Sequence, residues 1–383
     1  MLLIKNGHVK TMAGEDIIGG SVLIGDDGKI AKVGKDIECE GAEVIDALGK
    51  LVTPGCVEAH CHIGLDNSAM RWEGHDYNEA SDPITPHMRA IDSINPIDEP
   101  YEEATSHGVT SACTGPGSAN VVGGTFTSIK LTGKRVDNMI IKDPIAMKCA
   151  FGENPKGVYG QNGKKTPITR MGTAALLREL LFKSRNYLEA KEAGKEPNFD
   201  MKLEAMIPVM RGEIPLKAHA HRADDIFTSI RIAKEFGVKL TLDHCTDGSL
   251  IADELAKEGF PAFVGPSFGN KSKIELKNKS FSTPADLHRA GVPISIITDA
   301  PVIPLMYLPL CAGLAVKSGL DYEEAWRAIT INPAKHTGIG DRVGSLEVGK
   351  DGDVVIWTAD PLMDVDAEAY ITVIDGKIIH SKA

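Results

Sequence analysis

The feature that most constrains this chain is the alternation, through its long middle section, of short apolar runs with amphipathic segments at helical spacing. The runs at residues 56–60, 110–114, 145–151, 216–219, 239–244, 261–264 and 293–298 are too short for helices. Near-continuous apolarity is what a strand buried on both faces requires. Segments with one apolar helical face lie between several of them, at 223–236, 249–258, 284–290 and 322–329. Such alternation calls for a parallel sheet, and the 383 residues are enough to close it as an α/β fold, a (β/α)₈ TIM barrel. The run at 125–131 has the weakest barrel pattern. Residues 171–212, rich in Lys and Glu, predict an exposed helical excursion over the barrel.

Both ends of the chain read differently. Residues 2–4, 21–24, 30–33 and 43–45 are brief strand-like runs punctuated by glycine, and 353–357, 369–374 and 377–380 repeat the pattern around an Asp375-Gly376 hairpin turn. Neither set alone has enough strands for a stable layer. Pairing between them predicts a small β-sandwich domain built from 1–52 plus 345–383, appended to a barrel of 53–344.

A formal net charge of -11, with both signs interleaved along the chain, offers no general attraction for phosphates or anionic lipid. Nucleic acid and membranes are therefore excluded as main partners, and a small-molecule substrate is expected. Seven cysteines, scattered singly and without a C-x-x-C pair, argue against a disulfide framework. The N-terminal residues carry no basic segment followed by an apolar stretch, and no run approaches the roughly 18 apolar residues of a membrane span. A cytoplasmic protein is expected, and exposed barrel helices would suit a homo-oligomer.

His60 and His62 end the first barrel run, and side chains two apart on a strand share a face. His219, His244 and Asp299 end three later runs. Parallel strand ends converge on one mouth, so these five residues can surround one or two divalent metal ions. Imidazole and carboxylate suit Zn²⁺, and carboxylate also admits Mn²⁺ or Fe²⁺.

Lys148 interrupts an apolar strand, where an ammonium is costly unless paired or neutralised. Addition of CO₂ would give a carbamate able to bridge two metals, whereas an ion pair inside the barrel would serve equally well. Glu153, just beyond the same strand, is a second source of a bridging carboxylate. The sequence does not separate these solutions.

On the substrate side, His221 lies two residues past His219 and is placed to polarise a carbonyl. Arg222 is suited either to a substrate carboxylate or to a local ion pair with Asp224 or Asp225. Lys156, Tyr159 and Arg170 fall in a glycine-rich, loop-like stretch positioned to cover the site.

The runs PGCVEAHCHIG, MKCAFGEN, KAHAH, LDHC, ITDAP and NPAKHTGIGDRVGSLEVGKDGDVVIW together resemble the amidohydrolase superfamily. The resemblance spans nearly the whole chain and is closest to the branch of imidazolonepropionase-related hydrolases and prolidase-like dipeptidases. It implies metal ligation by His60, His62, His219, His244 and Asp299, with Asp299 also taking the proton of the attacking water. Lys148 resembles the strand-four lysine carbamylated in binuclear members, although the Gly-Glu-Asn-Pro that follows departs from that pattern. The reaction implied is hydrolysis of a C–N bond in an amide, cyclic amide or dipeptide-like substrate by metal-activated hydroxide. Deaminases of the superfamily usually carry a glutamate three residues after the strand-five histidine, where this chain has Arg222. A metal-free binding relative would lack ligands that this chain keeps.

Overall fold

The computed structural model describes residues 1–161 and 166–382. In chain order its strands are β1 (Leu2–Val9), β2 (Ile17–Ile24), β3 (Ile30–Gly34), β4 (Glu43–Asp46), β5 (Leu51–Pro54), β6 (Cys56–Cys61), β7 (Val109–Thr114), β8 (Val122–Lys130), β9 (Ile140–Ala150), β10 (Leu216–Ala220), β11 (Leu240–His244), β12 (Ala262–Val264), β13 (Ile294–Ile296), β14 (Val354–Trp357), β15 (Ala369–Ile374) and β16 (Lys377–Ser381).

The apolar runs of the middle section form one nearly closed sheet in the order β13-β12-β11-β10-β9-β8-β7-β6. The sequence leads one to expect a uniformly parallel (β/α)₈ barrel, and here one strand departs. β8 pairs antiparallel with both β7 and β9, while the other neighbours pair parallel. Its connection to β7 is the short loop 115–121, with no crossover helix, and a connection of that length can only turn the chain back on itself.

Among the described residues, no ladder joins β6 to β13 across the seam. The seam is closed instead by the main-chain bond His62 N to Ala300 O (2.7 Å) and by a buried side chain. Glu58 Oε2 accepts from Thr298 N (2.8 Å) and Thr298 Oγ1 (2.6 Å), and its Oε1 accepts from His60 N (2.9 Å). One carboxylate on the first barrel strand thus fixes the height of Asp299, the residue after Thr298, relative to His60.

Helix Ala223–Phe236 coincides with its sequence pattern and ends on Gly237 at φ +67°, the left-handed conformation that glycine adopts most readily. The 171–212 excursion is corrected. Helices Arg170–Glu192 and Met201–Met210 form the β9-to-β10 crossover, with Leu177, Leu181, Met206 and Val209 in the barrel's apolar core. Lys and Glu enrichment there reflects only the solvent face.

The terminal strands join into a second sheet, ordered β16-β15-β14-β5-β1-β2-β3, with β4 pairing with β1. The two ends of the chain meet where β14 runs antiparallel to β5. Trp357, whose Nε1 donates to Thr53 Oγ1 (2.9 Å), packs edge-on against Trp326 of the barrel. A Cβ on Gly108 would lie 2.4 Å from the Trp357 ring, so the two sheets are in close contact. Among the described residues, no helix is long and apolar enough to cross a membrane.

Candidate metal centre

Alternation on a strand sends Lys217, His219 and His221 to one face, and that face is the barrel interior. The same rule places Glu58, His60 and His62 together. It should turn His244 away from its neighbour Asp243, yet both reach the interior. His244 sits at φ +77°, which breaks the strand alternation and swings the ring back to the mouth. Asp299 makes the same turn at φ +56°. Strain of this kind at non-glycine residues persists only where surrounding structure enforces it.

Two ligand trios result. His60, His62 and Asp299 form one, and His219, His221 and His244 the other, with the ligand atoms of each trio all within 4.8 Å of one another. Asp299 Oδ1 lies 3.4 Å from His60 Nε2 and 3.3 Å from His62 Nε2. All five metal ligands expected from the strand ends are therefore gathered, and His221 joins them, its ring stacked on His244 at 4.6 Å.

The hydrogen bonds decide which nitrogen of each ring faces inward. His62 Nδ1 bonds Gly115 O (2.7 Å) and His244 Nδ1 bonds Gly265 O (2.8 Å). A carbonyl only accepts, so Nδ1 carries the proton and Nε2 presents a lone pair to the mouth. His244 Nε2 is buried without any hydrogen-bond partner among the described residues. Burial also holds His219, His221 and His244 well below the usual imidazole range, so they are neutral at neutral pH. Buried, neutral imidazoles with inward lone pairs beside a carboxylate fit a divalent cation and fit little else.

Lys148 is fully buried, its Nζ 3.1 Å from His60 Nε2 and 3.8 Å from Asp243 Oδ2. Burial, reinforced by the nearby Lys217, pushes its amine down to about 8. Asp243 is shared, because its Oδ1 also accepts from Lys217 Nζ (3.2 Å). One carboxylate thus serves two interior lysines.

A cavity of about 520 Å³ opens over the trios, lined among others by Lys148, His221, Glu153 and Asp299. A second, of about 470 Å³, adjoins it through Glu153 and carries Lys156, Arg170 and Arg222. Arg170 Nε bonds both oxygens of Asp225 (3.0 and 2.9 Å), and Arg222 pairs with Asp224 (3.0 and 2.9 Å). Tyr159 is buried and donates to Asp82 O (3.0 Å). The stretch Lys156–Gln161, expected as a loop, is a single π-helical turn, a geometry frequent near functional sites.

Four interior groups escaped the sequence reading: Glu58, Lys217, Asp243 and Glu275. Lys217 and Asp243 stand directly beside expected ligands, and the cost of an interior charge could have flagged them as it flagged Lys148. Glu275, buried close to His219 and His221, comes from a loop with no pattern to mark it.

Residues 203–379 match the sequence profile of the Amidohydrolase family. The chain is 29% identical to the amidohydrolase tasK of Hapsidospora irregularis over 93% of its own length, and it spans 39% of that larger protein. It is 27% identical to the imidazolonepropionase of Acidiphilium cryptum, covering 95% of this chain and 94% of that one. Its fold superposes on the crystal structure of an amidohydrolase from Thermotoga maritima with a TM-score of 0.96 and 43% identity, over the full length of both chains. On the evidence of these likenesses and the ligand geometry they accompany, the chain belongs to the amidohydrolase family, hydrolases that act on carbon–nitrogen bonds.

Proposed function

We propose that the protein hydrolyses the C–N bond of a small amide, cyclic amide or dipeptide-like molecule held in the cavity over the two trios. The observation that carries this reading is the convergence of His60, His62 and Asp299 on one point and of His219, His221 and His244 on a neighbouring one. Zn²⁺ is the cation that best matches this donor set, with Mn²⁺ and Fe²⁺ also accommodated by the carboxylate. When bound, such a cation polarises a carbonyl and brings the pKa of water from 15.7 towards about 7.

The chain's own groups do the rest. Asp299, at the rim of the first trio, takes the proton of the attacking water and returns it to the departing nitrogen. His221 lines the same cavity and serves there as the third imidazole of the second trio rather than as a donor to the substrate carbonyl. Lys148, an amine lowered by burial, takes up CO₂ to give a carbamate between the trios, with Glu153 the alternative carboxylate. In the adjoining cavity Lys156 receives a substrate carboxylate, together with the guanidinium N–H groups of Arg170 and Arg222 that Asp225 and Asp224 do not take up, and Tyr159 fixes the π-helical turn beside them.

We also propose that residues 1–52 and 345–383 make a β-sandwich domain of their own beside a 53–344 barrel domain. A separate apolar cluster of Leu2, Ile4, Val22, Ile24, Val354 and Val373 supports that division.

Metal analysis of unchelated protein tests the reaction, combined with a screen of N-acyl amino acids, dipeptides and cyclic amides. One or two equivalents of transition metal are expected, with turnover lost on chelation and restored on metal addition. Protein that holds no metal and hydrolyses none of these after metal addition would overturn the reading.

A further inference from the structure

The loop that follows β12 folds over the second trio and carries one carboxylate inside. A 3₁₀ turn, Ile274–Leu276, exposes Ile274 and buries Leu276, and between them Glu275 points into the mouth with almost no solvent exposure. Its Oε2 accepts from Glu153 N (3.0 Å). Space for that oxygen comes from Gly152, at φ +82°, where a Cβ would lie 2.8 Å from it.

The other oxygen, Oε1, is buried with no hydrogen-bond partner among the described residues. It faces His219 Nε2 and His221 Nε2 at 3.8 Å each. The nearest ammonium among the described residues, Lys273 Nζ, is 4.0 Å away and donates instead to Asn154 Oδ1 (2.7 Å). That bond orients the Asn154 amide, so its Nδ2 group is the one 3.4 Å from His219 Nε2. His219 Nε2 is therefore an acceptor with only this long contact from Asn154, and Glu275 Oε1 is an acceptor with no donor among the described residues. Two acceptors facing each other in a buried gap are unfavourable unless a positive ion lies between them.

We propose that Glu275 is a ligand of the cation held by His219, His221 and His244, so that this site has three imidazoles and one carboxylate. The inference rests on the metal reading above and adds a ligand that no strand end supplies. Its consequence is a division of labour. A carboxylate added to three imidazoles would hold the ion of the second trio more firmly, whereas His60, His62 and Asp299 gain no such extra ligand.

Zn²⁺ competition against a chromophoric chelator, with metal content measured in parallel, tests this on the full chain and on Glu275→Gln. The variant is expected to bind one of its cations about tenfold or more weakly than the parent, and the ligand-field absorption of Co²⁺-loaded protein should change with it. Unchanged affinity for every cation in folded Glu275→Gln overturns the inference and leaves the metal reading standing. A parent protein that binds no Zn²⁺ overturns both. Should the variant fail to fold, anomalous scattering from Zn²⁺-loaded parent crystals decides. A cation about 2.0–2.2 Å from Glu275 Oε1 supports the assignment, and one beside His219 and His244 but more than about 3 Å from that oxygen refutes it.

Discussion

Asp243 Oδ2 lies 2.8 Å from His60 Nδ1, on the side of the ring opposite the Nε2 that faces Asp299. The His60 ring thus has a carboxylate close behind it, in ionic contact rather than in a formed hydrogen bond, and that carboxylate is itself anchored to Lys217, whose ammonium lies 4.0 Å from the Phe263 ring centroid. Asp243→Asn would leave the Lys217 ammonium in the barrel interior without its counter-charge. We expect a loss of about 3–5 kcal/mol in urea unfolding. The double change Lys217→Met with Asp243→Leu should recover part of it, because the Lys217 charge is gone while Lys148 still loses its counter-charge. Metal affinity of Asp243→Asn should also fall by about 10–100-fold. A stability change under about 1 kcal/mol would contradict the pairing.

The three buried imidazoles His219, His221 and His244 set a pH dependence. Burial holds each well below its usual value, whereas in the unfolded chain each titrates near about 6.5. Between those limits the unfolded chain binds more protons, so their contribution is complete above about pH 6.5 and is lost as the pH falls below it. Chelator-treated protein should show a falling urea midpoint from pH 7 to pH 5. A flat or rising midpoint would mean that these rings are accessible to protons when folded.

Lys148 provides a second, opposite handle. With its amine pushed down to about 8, the neutral form that adds CO₂ increases as the pH rises from 7 to 9. Metal-free protein in ¹³C-bicarbonate should therefore show a carbamate resonance that strengthens over that range and is absent from Lys148→Ala. The same variant should lose activity and part of its metal, with partial rescue by short-chain carboxylic acids. Full metal content in Lys148→Ala would move the bridging role to Glu153.

Gly152 meets two constraints at once, since its φ is +82° and a Cβ would stand 2.8 Å from Glu275 Oε2 and 3.0 Å from Asp225 Oδ2. Gly152→Ala should cost about 1–3 kcal/mol from backbone strain alone. It should also displace Glu275, so weakened metal binding is expected alongside a lower urea midpoint. A variant with parental stability and metal binding would show that the turn relaxes freely.

The barrel, the terminal strands that pair with each other, and the gathering of the five strand-end side chains at the barrel mouth could all be read from the chain. Apolar runs mark β6 to β13 and two-residue spacing pairs His60 with His62 and His219 with His221, whereas His244 and Asp299 face the mouth through left-handed backbone that no period records. A period is a property of neighbouring residues, and it survives in one dimension. What only the tertiary structure decided depends on contacts between residues far apart in the chain. The reversal of β8 follows from a loop too short for a helix. Glu58 closes the seam by reaching Thr298, 240 residues away. Asp243 serves His60 and both interior lysines only because four strands meet around it. Glu275 enters the mouth from a loop whose course no local pattern records. Such groups are placed by where charge can be compensated inside the barrel, and that is settled only when the strands have closed around it.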